Sequence, residues 1–196
     1  IRDNGSSRVI LTDADVPTEK AIEIIKNTPV STNAVEKVSC KKRWYSRTTN
    51  AKYNVVAIDC GIKLNIIRLL HARGCNVTVV PYNTSAKEII KMNPDGVVVS
   101  NGPGSPLDVA SIVNVIKELK GKFPLFGIGL GNLLLGAAYG AKSDKLKFGH
   151  HGGNHPVMNV ETGKVITVSQ SQDYTINEES LKSTDLKITH RDILDK

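Results

Sequence analysis

Gly127-Ile128-Gly129-Leu130-Gly131 has the outline of a covalent-catalysis site with one side chain missing. It follows the apolar run Phe123-Pro124-Leu125-Phe126 and precedes Asn132-Leu133-Leu134-Leu135-Gly136-Ala137-Ala138, which reads as a helix start. A strand, a tight glycine-flanked turn and a helix make a nucleophile elbow, where G-x-Nuc-x-G lifts a Ser or Cys into a cleft. The nucleophile slot here is Gly129, which carries no side chain. The frame predicts an enzyme scaffold, and the apex predicts that the chemistry has been lost.

The elements that position this turn begin at Tyr53. Asn54-Val55-Val56-Ala57-Ile58 is a continuous apolar run that ends in Asp59-Cys60-Gly61, and Leu64 to Leu70 has helical spacing that stops near Gly74. Asn76 to Val80 is a second strand closed by Pro81, and Gly96 to Ser100 a third, with Pro124 to Ile128 as the fourth. Between them Ser85 to Met92 is helical, with Ser85 as N-cap and Glu88 three residues on, and Val109 to Leu119 is a further helix. Near-continuous Val/Ile strands joined by helices predict a doubly wound α/β fold whose mostly parallel sheet is covered on both faces. Ligands of such sheets bind at the carboxyl ends of the strands, where Asp59-Cys60-Gly61, Asn101-Gly102-Pro103-Gly104 and the elbow all fall. Beyond Lys145 the pattern changes, and the alternation in Lys164 to Val168 predicts a short antiparallel extension. Residues 1–50 read as a separate N-terminal part: a strand fragment at Arg8-Val9-Ile10-Leu11, a helix over Pro17 to Lys26, and a polar, poorly periodic linker from Asn27 to Lys52. The main domain is then 51–196.

Composition narrows the function classes. No run approaches the roughly 18 apolar residues of a membrane span, and no secretory signal opens the chain, so no membrane role is expected. Three cysteines, Cys40, Cys60 and Cys75, are odd in number and lack metal-ligand spacing, which fits free thiols in a reducing cytoplasm or organelle matrix. The net charge of +7 raises the question of nucleic acid, but most basic residues are scattered singly and the densest cluster is Lys41-Lys42-Arg43 with Arg47, beside Trp44 and Tyr45. A solvated segment or a face for an acidic partner protein explains it better, and no nucleic-acid role is expected. Cys60 reads as a packed thiol rather than a substitute nucleophile, because no elbow surrounds it. His150, His151 and His155 invite a metal reading, but glycines separate them and no acidic partner is near in sequence, so no metal is expected and a partner-contacting loop is preferred. Gly102-Pro103-Gly104 is too short for a phosphate-binding loop and is followed by no Gly-Lys-Ser/Thr.

Several of these segments together resemble the class I glutamine amidotransferase domain of carbamoyl-phosphate synthetase, small-chain type. They are Asp59-Cys60-Gly61-Ile62-Lys63-Leu64-Asn65-Ile66, then Asn93-Pro94-Asp95-Gly96 leading to Ser100-Asn101-Gly102-Pro103-Gly104, and Lys147-Phe148-Gly149-His150-His151-Gly152-Gly153-Asn154-His155-Pro156-Val157. The resemblance covers about residues 53 to 190, with 1–50 similar to the exit from the family's N-terminal domain. It implies a Cys nucleophile at the elbow, a His-Pro-Glu base near the carboxyl end, an oxyanion site of backbone amides, and ammonia passed to a large synthetase subunit. It further implies that this domain needs no cofactor, ATP and Mg²⁺ belonging to the partner.

Carried over position by position, the scaffold is kept and the chemistry dropped. Gly129 replaces the nucleophile, while Leu130 matches the family. Leu133 stands where the family has a substrate-holding glutamine. The family's Gln-Asn-His-Gly-Phe, which lines the glutamine pocket, becomes Gln170-Ser171-Gln172-Asp173-Tyr174, so Asn is replaced by Ser171, His by Gln172 and Gly by Asp173, while Tyr174 stays aromatic. A carboxylate at Asp173 is expected to crowd the pocket and repel a substrate α-carboxylate. Gly102 and Gly104 survive, either as a tight turn or as a vestige of ligand binding. No His-Pro-Glu occurs up to Lys196, and glutamine binding is in doubt. The leading expectation is a small-subunit domain without glutaminase activity, a structural or regulatory partner of an ammonia-using synthetase. The alternatives are a fragment or altered form of an active glutamine-hydrolysing subunit feeding arginine or pyrimidine synthesis, and a binding module that uses the vacated cleft for another small molecule.

Overall fold

The computed structural model describes residues 3, 5, 7–13 and 15–194. Its centre is a five-stranded sheet in the order β1-β3-β2-β4-β5, formed by Trp44–Ser46, Cys75–Pro81, Tyr53–Asp59, Gly96–Val99 and Leu125–Gly127 respectively. β2, β3, β4 and β5 run parallel, and β1 pairs antiparallel on the β3 edge with Trp44 opposite Val79. The chain starts in the middle at β2, steps to one side for β3 and crosses to the other for β4. The order therefore reverses between β2 and β4, which opens a crevice at their carboxyl ends.

Alternation along the strands divides the interior in two. Val56, Ile58, Val97 and Val99 face helices α4 (Ala86–Lys91), α5 (Ala110–Leu119) and α6 (Leu130–Ala138), meeting Ile89, Ile112, Ile116 and Leu134. Val55, Ala57, Val77, Val79 and Val98 face the other way, against Ile67 of α3 (Leu64–His71) and against Trp44. Burial on both faces explains the uninterrupted Val/Ile runs. The Ser85–Glu88 capping box read from the sequence forms: Ser85 Oγ accepts from the Glu88 amide, and the Glu88 carboxylate accepts from the Ser85 amide. The Ser85 hydroxyl, which donates to the Glu88 carboxylate at 2.6 Å, and then the Ser85 amide hold the Glu88 carboxyl below its ordinary pKa.

The antiparallel part is more than a short extension. β6 (Ser143–Asn159), β7 (Val165–Ile176) and β8 (His190–Asp192) form their own sheet in the order β7-β6-β8. The His150–His155 segment therefore lies within a 17-residue strand, not in a loop. A short helix α7 (Glu178–Leu181) links β7 to β8.

The N-terminal reading needs two corrections. Arg8 to Leu11 forms no strand, since Val9 and Leu11 are exposed and pair with no neighbouring strand. The stretch expected to be a linker is built into the domain from Val35 onward. α2 (Ala34–Val38) buries Val35 in the main core, the Cys40 amide donates to Asp59, and β1 lengthens the sheet. Within the basic cluster, Lys41 donates to the Glu36 carbonyl and the Arg43 guanidinium lies 5.8 Å from the centre of the Tyr45 ring. Helix α1 (Thr18–Asn27), by contrast, buries none of its residues. Val35→Ala should therefore lower unfolding stability by about 2 kcal/mol, whereas Ile22→Ala, on α1, should change it by less than about 0.5 kcal/mol. Urea unfolding of both variants checks this, and equal effects would contradict the boundary.

Candidate functional site

The elbow predicted from the glycine spacing is present in its backbone. β5 ends at Gly127, α6 starts at Leu130, and Gly129 between them has φ 56° and ψ −114°. Such positive φ values are rarely adopted by residues with a Cβ. The turn is tied to the end of β4, because the Ile128 amide donates to Val99 O and the Gly131 amide to Ser100 O. That closeness requires the flanking glycines. A Cβ on Gly131 would lie 2.0 Å from Val99 O, and one on Gly127 would lie 2.5 Å from Gly131 O. At the apex the reverse holds: a Cβ on Gly129 would meet nothing nearer than Asn101 Cβ, at 3.7 Å. The turn leaves room for a side chain where the sequence supplies a hydrogen atom.

The neighbouring loops close around it. Ser100, fully buried, accepts the Cys60 amide on its hydroxyl oxygen and donates to Asn101 O. Asn101 accepts from the Lys63 amide and donates to Gly61 O, linking the β4 loop to the turn after β2. A Cβ on Gly102 would lie 2.2 Å from Cys60 O, so this glycine is required by close packing. Gly104 takes φ 86° beside Asp108, whose carboxylate accepts the Ser105 amide. Beneath both turns lies Asp59, a buried carboxylate that accepts backbone amides from Cys40, Gly61 and Ile62, each at 2.8 Å. Its anchoring role was not legible in the sequence, because one partner, Cys40, comes from outside the strand.

Cys60 is fully buried, as the sequence reading expected, and all three cysteines are free. Burial first, and then the Asp59 charge, push the Cys60 thiol up to about 12. The same two causes raise Cys40 to about 11. Both thiols are thus protonated at neutral pH, and neither is poised as a thiolate nucleophile.

The remaining predicted positions divide. Leu130 opens α6, where the first amides of a helix have no intrahelical acceptor, and its side chain is buried in the main core. Leu133 is buried too. Along β7, alternation puts Ser171 and Asp173 on the exposed face and Tyr174 on the opposite, half-buried one. The three are therefore not gathered on one side of the strand. Asp173 engages His151 Nε2 at 3.2 Å, with Ser171 Oγ 3.4 Å from the same ring's Nδ1. The histidine segment thus has acidic neighbours that spacing did not reveal: Asp173 beside His151, and Asp192 beside His150 and His155. His190 lies on β8 with Asn159 3.3 Å away.

A doubly wound parallel sheet with an elbow after β5, tied to the end of β4 beside the switch-point crevice, is an α/β domain of the kind that binds ligands at its strand ends. Residues 56–196 match the family Glutamine amidotransferase class-I, and the chain belongs to that family. It is 48% identical over 190 residues to the carbamoyl phosphate synthase small chain of Staphylococcus saprophyticus, an alignment covering 97% of this chain and 51% of that one. The chain spans about half the length of the curated relatives it matches. Among solved structures, a candidate GMP synthase subunit from Thermoplasma acidophilum superposes with a TM-score of 0.60 at 18% identity, over 71% of this chain and 73% of that one. A glutamine amidotransferase from Thermotoga maritima gives a TM-score of 0.50 at 18% identity, over 63% and 62% of the two chains. No described helix is long and apolar enough to cross a membrane.

Two outcomes follow from this geometry. Gly129→Ala should cost about 1–3 kcal/mol from backbone strain alone, and Gly131→Ala should cost more, because its Cβ collides with a carbonyl oxygen; thermal unfolding of the pair checks the order. The thiols give a pH dependence. The folded Cys60 pKa, about 12, is raised above the ordinary 9.0, so its stabilisation is intact below pH 9 and is lost as pH rises toward 12. Urea midpoints should fall over that window, and the fall should be shallower in Cys60→Ala.

Proposed function

We propose that this chain is the amidotransferase part of a carbamoyl phosphate synthase small chain that no longer hydrolyses glutamine. In this reading it serves as a structural or regulatory partner of a large synthetase subunit that takes free ammonia. The observation that carries the reading is Gly129, which keeps elbow geometry at φ 56° and ψ −114° while offering no attacking atom.

Amide hydrolysis through an acyl-enzyme needs a nucleophile, a base to activate it and donors for the oxyanion. The backbone part of that set persists, in the start of α6 and the glycine turn after β4. The nucleophile does not: the nearby thiol, Cys60, is buried and held protonated behind Gly102. The pocket positions have drifted in the same direction. Leu133 brings an aliphatic group, and Asp173 a carboxylate paired with His151. Loss at several positions favours a site released from glutamine over one altered at a single residue. The domain itself then supplies shape and a docking surface, and the ATP and Mg²⁺ chemistry belongs to the partner.

The test uses the full-length protein with its large subunit, supplied with either glutamine or an ammonium salt. Carbamoyl phosphate should form from ammonium and stay at background with glutamine, with the two subunits co-purifying. Gly129→Cys should leave glutamine unused, since Leu133 still stands where the family holds substrate with a glutamine. Glutamine-dependent synthesis by the natural protein would contradict the proposal in favour of an active amidotransferase. Failure to associate with a large subunit would favour a binding module unconnected to synthetase.

A further inference from the structure

The second sheet gathers a cluster that the amidotransferase reading does not use. His150 and His155 are five residues apart on β6, so a regular strand would point them to opposite faces. The β6–β7 register prevents this. Gly152 pairs with Gln170 but His155 with Val168, and the extra residue at Gly153-Asn154 is a β-bulge. The bulge turns His155 onto the face of His150, where the two rings stack with centroids 4.8 Å apart. On the other side of β6, β8 places Asp192 opposite Val157, two residues beyond His155 and on the same face. Asp192 Oδ2 lies 3.5 Å from Nδ1 of His150 and 3.5 Å from Nδ1 of His155.

We propose that His150, His155 and Asp192 form a binding site for a divalent first-row transition ion such as Zn²⁺, which pins β8 and the β6 bulge together. One nitrogen or oxygen from each of the three lies within 4.8 Å of the other two. A tetrahedral ion with bonds of about 2.0–2.2 Å sets its ligand atoms about 3.3–3.6 Å apart. The two histidine–carboxylate separations match that edge, and the two histidines need only close from within 4.8 Å. Imidazole and carboxylate are also the donor set such ions select.

The hydrogen-bond pattern points the same way. His155 Nδ1 is buried and, although in ion-pair range of Asp192, makes no hydrogen bond. A buried polar nitrogen left in that state is a standard indication of an ion or water. The neighbouring groups are otherwise well ordered. Gln170 Nε2 donates to Asp192 Oδ2 at 2.7 Å, and Gln170 Oε1 lies 2.8 Å from His150 Nδ1. Gln172 donates to the same Oε1 at 3.1 Å, which fixes the orientation of the Gln170 amide. An amide oxygen only accepts, so in the metal-free state His150 Nδ1 carries the proton, and coordination through Nδ1 requires the other neutral tautomer, with the proton on Nε2. Gln170 Oε1 is then placed to complete the coordination or to hold a bound water, and Gln172 acts as the outer support that metal ligands generally have.

The experiment uses the full-length protein stripped with a chelator and titrated with Zn²⁺ in a calorimeter, with Co²⁺ as a visible-absorption reporter. One equivalent of Zn²⁺ should bind and raise the thermal midpoint, and Co²⁺ should give the d–d bands of a low-symmetry nitrogen/oxygen site. His155→Ala and the near-isosteric Asp192→Asn should each weaken Zn²⁺ by about 100-fold or more. His151→Ala and His190→Ala should leave affinity unchanged. Urea unfolding of each metal-free variant verifies that it is folded, and His155→Gln replaces His155→Ala if the latter is not. No saturable binding by the natural protein would overturn the proposal, as would binding that survives folded Asp192→Asn or that is lost in His151→Ala.

Discussion

The close approach of the elbow to the end of β4 is the constraint on which the rest of the cleft depends. Two backbone hydrogen bonds, Ile128 to Val99 and Gly131 to Ser100, draw the β5–α6 turn against the neighbouring strand. They can form only because positions 127 and 131 have no Cβ, where any side chain would collide with a carbonyl. Once the turn is held there, φ and ψ at position 129 are dictated by its ends rather than by its own residue. The elbow geometry therefore does not need a side chain at its apex. Glycine is the residue that occupies that conformation with least strain.

The second strut is electrostatic. Asp59 gathers three amides from two chain segments, and Asn101 and Ser100 carry the connection across to the β4 loop. The same carboxylate that orders the turn raises Cys60 and Cys40, so the scaffold suppresses the thiols it contains.

The parallel core was legible because its signals are local. Val55 to Ile58, Val77 to Val80 and Val97 to Val99 read as strands from composition alone, and the Ser85–Glu88 pair marked its helix. The elbow was legible for the same reason, its glycines lying within five residues. What escaped was held by distant partners. Trp44–Ser46 is a strand because β3 offers an edge, and Val35 is buried because it joins a core cluster whose other members lie far along the chain. Arg8 to Leu11, with similar local character but no edge to join, is not a strand. On β7 the sequence could place Ser171, Asp173 and Tyr174 side by side, but only the pleat shows that Tyr174 faces away from the other two. His150, His155 and Asp192 were unreadable as a set, since a bulge reverses the parity of one histidine and β8 imports the acid.

The central claim is that this cleft presents no atom able to attack a glutamine side chain. It is tested most directly by incubating the full-length protein with an electrophilic glutamine analogue, a chloromethyl ketone, and mapping adducts by mass spectrometry of the intact chain and its peptides. The account predicts an unmodified peptide spanning Gly127 to Gly131 and no adduct on Cys60 in the folded protein. A stoichiometric adduct within the cleft, blocked by added glutamine, would contradict it.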